Sequence, residues 1–203
     1  IMVRVCILDY GSGNVSSVSN LLKHLNYRCI VSNKIEILKK SSHIILPGVG
    51  AFGASMRKIK KNVPLKTLEN EVLKKHKPFL GICVGMQLLA DVGEEFGKHK
   101  GLGWIKGSVI KIKSKKLPHI GWNDIVIKKQ SEIVKDLDEL NDFYFVNSFH
   151  FKPIKKEFIV AETKYGEKFC SIVKNNNILG VQFHPEKSQK AGQILIRNFL
   201  EMK

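Results

Sequence analysis

The sequence predicts an α/β fold: one domain over residues 2–203, with a mixed, mostly parallel central sheet flanked by helices. Three observations predict it. Strand-length apolar runs alternate with helix-period segments through the first half of the chain. Beyond Gly101 short β-type segments take over, so the second half of the sheet is mixed. A chain of 203 residues, 43% of them hydrophobic, is long enough to bury one sizeable core.

The elements follow in order. Val3 to Asp9 is apolar almost throughout and reads as a buried strand, followed by a tight loop, Gly11 to Asn14. Val15, Val18, Leu21, Leu22 and Leu25 recur at helical spacing. Tyr27 to Val31 is a second strand, Ile35 to Lys39 a short helix, and Ile44 to Leu46 a third strand running into Pro47–Gly50. A lysine-rich helical stretch from Ala54 to His76 is broken at Pro64. Pro78 to Ile82 is the fourth strand, ending at Cys83, and Val84 to Ala90 is helical. The second half holds β-type segments at Ser108–Lys113, Asp124–Lys128, Phe143–Asn147, Phe158–Lys164, Phe169–Lys174 and Ile178–Phe183. Asn175 to Asn177 join the last two as a hairpin turn. A helix from Ala191 to Leu200 closes the chain.

Composition excludes several classes. No apolar run reaches the roughly 18–20 residues that span a bilayer, and the first residues lead straight into a strand, so neither membrane span nor signal peptide is expected. Localisation is expected to be cytoplasmic. The four cysteines, Cys6, Cys29, Cys83 and Cys170, form no tight cluster. Neither a disulfide framework nor a zinc site matches their spacing, and no metal or cofactor is expected. The formal charge of +16 invites a basic binding module for nucleic acid. The lysines are scattered, however, with no interleaved aromatics to stack bases, which favours a solvated surface.

Gly81–Gly85 reads Gly-x-Cys-x-Gly between a strand and a helix, the form of a nucleophile elbow with Cys for Ser. Flanking glycines relieve crowding at a strained turn, and a helix N-terminus aimed at the sulfur favours thiolate. Alone, the pattern is also that of a buried thiol beside packing glycines. His184 and Glu186 follow the last apolar strand, with Pro185 stiffening the link. A thiol nucleophile needs a base, and the base an orienting group. Alone, His-x-Glu at a strand end is ordinary surface; with the elbow it completes a Cys–His–Glu triad. Pro47–Gly50 exposes backbone amides beside the elbow, and the Val84 N–H follows the nucleophile, so the two form a candidate oxyanion hole. Gly11–Asn14 fails the dinucleotide fingerprint, lacking a third glycine and an acidic residue after strand two.

These motifs resemble those of class I, triad-type glutamine amidotransferases, and within them the glutaminase subunits of imidazole glycerol phosphate synthases. The matching segments are Asp9–Asn14, Leu46–Gly53, Pro78–Gln87, Glu94–Gly97, Pro118–Asn123, Phe143–Val146 and Gly180–Gln189. They run from near one end of the chain to the other. The resemblance implies a flavodoxin-like fold and glutamine as substrate. It implies that Cys83 attacks the side-chain amide, that His184 moves the proton, and that Glu186 orients His184. Val49 and Val84 then carry the oxyanion-hole amides, and Gly50, Gln87, Glu95 and Ser148 hold glutamine. Ammonia passes to a (β/α)8-barrel cyclase in a heterodimer that makes imidazole glycerol phosphate and AICAR in histidine biosynthesis. His119 and Trp122, within Pro118–Trp122, together with Tyr144 and Lys187, lie near that interface. The family usually reads Phe-Val-His-Ser-Tyr where this chain has Phe145–Phe149, so Asn147 and Phe149 are departures, as is Val84 for the more common Leu. A related branch supplies ammonia for amidation of a surface-polysaccharide sugar nucleotide, and the departures keep that branch open as an alternative.

Overall fold

The computed structural model describes residues 4–137 and 139–202; Val3, predicted to open the first strand, lies outside them. In chain order the strands and helices are β1 (Arg4–Leu8), α1 (Val15–His24), β2 (Arg28–Ser32), α2 (Ile35–Lys40), β3 (His43–Gly48), α3 (Phe52–Asn62), α4 (Leu65–Glu69), β4 (Phe79–Cys83) and α5 (Val84–Gln87). There follow β5 (Val92–Gly93), β6 (His99–Lys100), β7 (Gly107–Lys111), β8 (His119–Asp124), β9 (Val126–Ile127), β10 (Asp142–Asn147) and β11 (Phe149–Pro153). The chain ends through β12 (Ile159–Tyr165), β13 (Glu167–Asn175), β14 (Ile178–Val181) and α6 (Gln189–Leu200).

The central sheet has eight strands in the order β2-β1-β3-β4-β14-β13-β12-β9. The pairs from β2 through β14 are parallel, and β13, β12 and β9 are added antiparallel, which is the mixed sheet the sequence predicts. β3 and β4 are buried along their whole length, as a central parallel strand covered on both faces must be. α1 buries Val18 and Leu22, four apart on one stripe, and ends at Asn26, whose φ of 62° a short polar side chain tolerates. The predicted Asn turn forms, with Asn175 paired to Ile178 and Asn176 at φ 54°.

Four expectations shift. The helix after Cys83 stops at Gln87, because the Leu89 and Ala90 amides bond three residues back and Asp91 is then drawn to the Gly107 amide of β7. The stretch from Ala54 to His76 begins earlier, at Phe52, breaks near Pro64 and finishes in a π-helical turn over Asn70–Lys74. β8 was not expected at His119–Asp124; the predicted strand at Asp124–Lys128 is only the short β9, with Val126 and Ile127. Finally, the chain does not stop pairing at Asn147. One residue, Ser148, separates β10 from β11, and the two belong to different sheets: β10 pairs β8, and β11 pairs β7. Phe143 and Phe183 stack at 4.0 Å and anchor the β8–β10 ribbon to the core, each buried ring contributing about 1.5–3 kcal/mol.

Candidate active site

The site forms where β3, β4 and β14 end side by side. Cys83 stands at φ 54° and ψ −111°, a strained conformation for any residue but glycine. Its strain is held by close backbone packing. A Cβ on Gly85 would lie 2.0 Å from the Leu46 carbonyl oxygen, and one on Gly81 would lie 2.4 Å from the Gly85 carbonyl oxygen. Only glycine fits at either place.

His184 follows β14, and its backbone is fixed on both sides. Its N–H donates to the Tyr144 carbonyl at 2.9 Å, and its own carbonyl accepts from Ser188 Oγ at 2.6 Å. Nδ1 donates to Glu186 Oε1 at 2.8 Å, which leaves Nε2 for Cys83. Both side chains are buried, and Asn14 Nδ2 donates to the same Glu186 oxygen at 2.5 Å. Burial opposes charge on His184, but hydrogen bonds and the charges of Cys83 and Glu186 outweigh it and raise its pKa to about 10. Burial likewise disfavours the Glu186 carboxylate, yet His184 and Asn14 hold its pKa below the ordinary value. A proton that reaches Nε2 is therefore held well, as an imidazolium beside the Glu186 carboxylate.

Its pH signature follows by linkage. The raised His184 pKa contributes stability that is complete below its ordinary 6.5 and is lost as pH rises toward about 10. The lowered Glu186 pKa contributes stability that is present above its ordinary 4.5 and is lost on acidification. Glu186→Gln is accordingly expected to lower stability by about 1–3 kcal/mol, with the gap widest near about pH 5–6 and narrowing toward about pH 10. Urea melts across that range check it; a gap independent of pH would mean that charge plays no part.

A cavity of about 410 Å³ opens over Cys83. Of the residues predicted to act there, Cys83, His184, Val49, Val84, Gly50, Gln87, Glu95 and Ser148 all line it. Val49 is exposed at its rim, Gly50 has φ 95°, and Val84 begins α5, where amides have no partner within the helix. Glu95 Oε2 accepts the Phe52 N–H at 2.8 Å. α5 is a single turn, so what it brings to the sulfur is the set of unpaired amides of that turn.

The profile of the class-I glutamine amidotransferases matches residues 6–202. The chain belongs to that family. An imidazole glycerol phosphate synthase subunit HisH from Pyrococcus furiosus is 46% identical to this amidotransferase, with 98% of each chain covered. The subunit of that name from Aquifex aeolicus is 42% identical over 97% of this chain and 96% of its own. Among solved structures, PurLQS from Thermotoga maritima superposes with a TM-score of 0.75 at 18% identity, covering 98% of each chain. A glutamine amidotransferase from the same organism gives 0.69 at 15% identity over the whole of both chains. At such identities these two speak for the fold alone.

Around the site of this amidotransferase, the two-stranded β8–β10 ribbon has two faces. Outward stand Ile120 and Trp122, 59% and 45% exposed, opposite Val146 and Tyr144. Trp122 meets Tyr144 edge-on at 5.9 Å, and Lys187 Nζ lies 5.7 Å from the Tyr144 ring centre. His119, predicted near a partner, has its side chain buried: strand alternation turns it inward, where it stacks on Tyr165 at 4.0 Å. Three polar residues escaped sequence reasoning. Asn14 lay in the loop rejected as a dinucleotide motif, Ser188 in the segment after His184, and Gln182 in an apolar run, where a lone amide was the available signal. Among the described residues no group of His, Cys, Asp and Glu could hold a metal, and no helix is long and apolar enough to cross a membrane.

Proposed function

We propose that this chain is the glutamine-hydrolysing subunit of an imidazole glycerol phosphate synthase, with Cys83, His184 and Glu186 as its triad. The observation that carries the reading is a strained cysteine sharing one cavity with His184, whose other ring nitrogen is held by the buried Glu186 carboxylate. The names of the relatives at 46% and 42% identity favour histidine biosynthesis over sugar amidation as the destination of the ammonia.

In this reading His184 Nε2 takes the Cys83 proton and the sulfur attacks the side-chain carbonyl carbon of glutamine. The new C–S bond pushes the carbonyl pair onto oxygen, which the Val49 and Val84 amides receive. Gly50, Gln87, Glu95 and Ser148 hold the substrate. The oxyanion collapses, the C–N bond breaks, and His184 returns its proton to the departing ammonia. Water, deprotonated by His184, then attacks the thioester; the C–S bond breaks, His184 returns the proton to the Cys83 sulfur, and glutamate leaves. Glu186 keeps the imidazole oriented throughout.

A (β/α)8-barrel cyclase would dock on the outward face of the β8–β10 ribbon, through Ile120, Trp122, Tyr144 and Lys187. Val146 belongs to both that face and the cavity, so ammonia released at Cys83 emerges beside the docked partner. The scattered basic surface has no role in this account, and no nucleic acid takes part.

The experiment is glutamate release by the chain alone and with the barrel subunit and its nucleotide ligand. Activity should rise at least tenfold on assembly, an order-of-magnitude expectation for coupled sites. A glutamine-derived diazoketone should add to the Cys83 peptide and a peptide-derived electrophile should not. Labelling by the peptide reagent alone would assign the triad to proteolysis instead.

A further inference from the structure

Gln182 is an amide in an otherwise apolar run, Ile178–Phe183, and none of it is exposed. A buried amide is costly unless its donors and acceptor are used. Its backbone N–H donates to the Ser171 carbonyl at 2.9 Å. Its side chain has two neighbours: Gln87 Nε2, 3.0 Å from its oxygen, and Cys83 Sγ, 3.8 Å from its nitrogen.

The direction of this chain of hydrogen bonds is fixed by chemistry. The Phe149 carbonyl can only accept, so the Gln87 atom 2.9 Å from it is the nitrogen. That nitrogen also faces Gln182, which must present its oxygen there. The Gln182 NH₂ is left pointing at the sulfur, and turning the amide over would set donor against donor. A neutral thiol is a weak acceptor, whereas a thiolate is a charged one. The neutral thiol has a different partner, the Val146 carbonyl, 3.8 Å from Sγ. Proton loss thus exchanges an S–H···O contact to Val146 for an N–H···S⁻ contact from Gln182, the proton passing to His184 Nε2.

We propose that Gln182 is a further catalytic residue, which donates to the Cys83 thiolate and is held in the donating orientation by Gln87. The inference rests on the reading of Cys83 as the nucleophile, and it adds a side-chain donor to the amides that the one-turn α5 begins with.

The test is alkylation of Cys83 by iodoacetamide across pH, followed by mass spectrometry of its peptide, in the full chain and in Gln182→Met, which matches the side chain in size without a donor. A charge-assisted hydrogen bond of ordinary strength corresponds to about a tenfold change, so the midpoint of the pH–rate curve should move up by about one unit. In the complex with the barrel subunit, kcat near neutral pH should fall about tenfold and recover at higher pH, with KM within about twofold. If Gln182→Met does not melt cooperatively, Gln182→Asn, whose amide is one methylene shorter, carries the same expectation. An unshifted midpoint with normal kcat overturns the proposal, as does a loss of kcat that no pH restores. Glutamate release that survives Cys83→Ala defeats the underlying glutaminase reading. A Cys83-dependent glutaminase with an unshifted midpoint defeats the role of Gln182 alone.

Discussion

Replacing Cys83 by Ala is expected to lower glutamate release in the assembled complex by at least about 10³-fold, since the covalent route is lost and little can substitute for it. Folding should survive the change. Ala meets the same backbone constraint at φ 54°, and the thiol's contacts to Val146 and Gln182 are long, leaving the one to His184 as the main loss. The melt should therefore stay within about 1–3 kcal/mol of the parent, the range for a small truncation that also removes one hydrogen bond to His184. Added ammonium salt separates chemistry from assembly. With ammonia in solution the barrel subunit needs no hydrolysed glutamine, so the Cys83→Ala complex should regain the partner's reaction. Failure of that rescue, with intact binding, would place Cys83 in coupling and not in amide cleavage.

The second large effect is expected from a residue with no chemistry of its own. Gly85→Ala sets a methyl group 2.0 Å from the Leu46 carbonyl oxygen and 3.0 Å from its carbon. Both are backbone atoms of the buried β3, so no side chain can swing aside. Either β3 or the elbow must move. Overpacking of this kind costs about 1–3 kcal/mol, and a chain of this size loses about 2–4 °C of melting temperature per kcal/mol. Because β3 runs into the Pro47–Gly50 loop, the same displacement should remove glutaminase activity. Gly13→Ala is the control. Its added carbon meets only Val49 Cγ2 at 3.9 Å, and the melt should move by less than about 0.5 kcal/mol. Equal melts for the two variants would mean that the elbow tolerates a backbone shift the contacts forbid.

The parallel half of the sheet was legible because β1, β3 and β4 are short, largely apolar runs set among turn residues such as Gly11, Pro47 and Pro78. The elbow and the His184–Glu186 pair were legible because residue type and spacing carry their chemistry. β8 was not, since Pro118 and Gly121 interrupt its apolar pattern although the strand pairs straight through Gly121. Nor was the break at Ser148. Phe143 to Phe151 sets an aromatic at every second position except Asn147, and nothing local tells one strand from two strands in different sheets. Inward placement of His119 depends on β8 and was lost with it. Asn14 could not be assigned, because its partner Glu186 lies 172 positions away and only the finished fold brings them together. Asn147, where the family usually has His, donates to the same Phe149 carbonyl that orients Gln87. It thus belongs to the support of the site and not to the triad.

The place of β14 has a consequence for biosynthesis. β14 lies in the middle of the sheet, between β4 and β13, yet it is among the last strands made. Cys83 and Gln182 are 99 positions apart. At about 5–20 residues per second, a ribosome carries the thiol for roughly 5–20 s before Gln182, His184 and Glu186 exist. For that interval β4 is an open sheet edge, the element most prone to wrong pairing. Nascent chains therefore hold an unarmed cysteine beside an unprotected strand, and chaperone demand in the cell should peak on that intermediate and fall once β14 inserts.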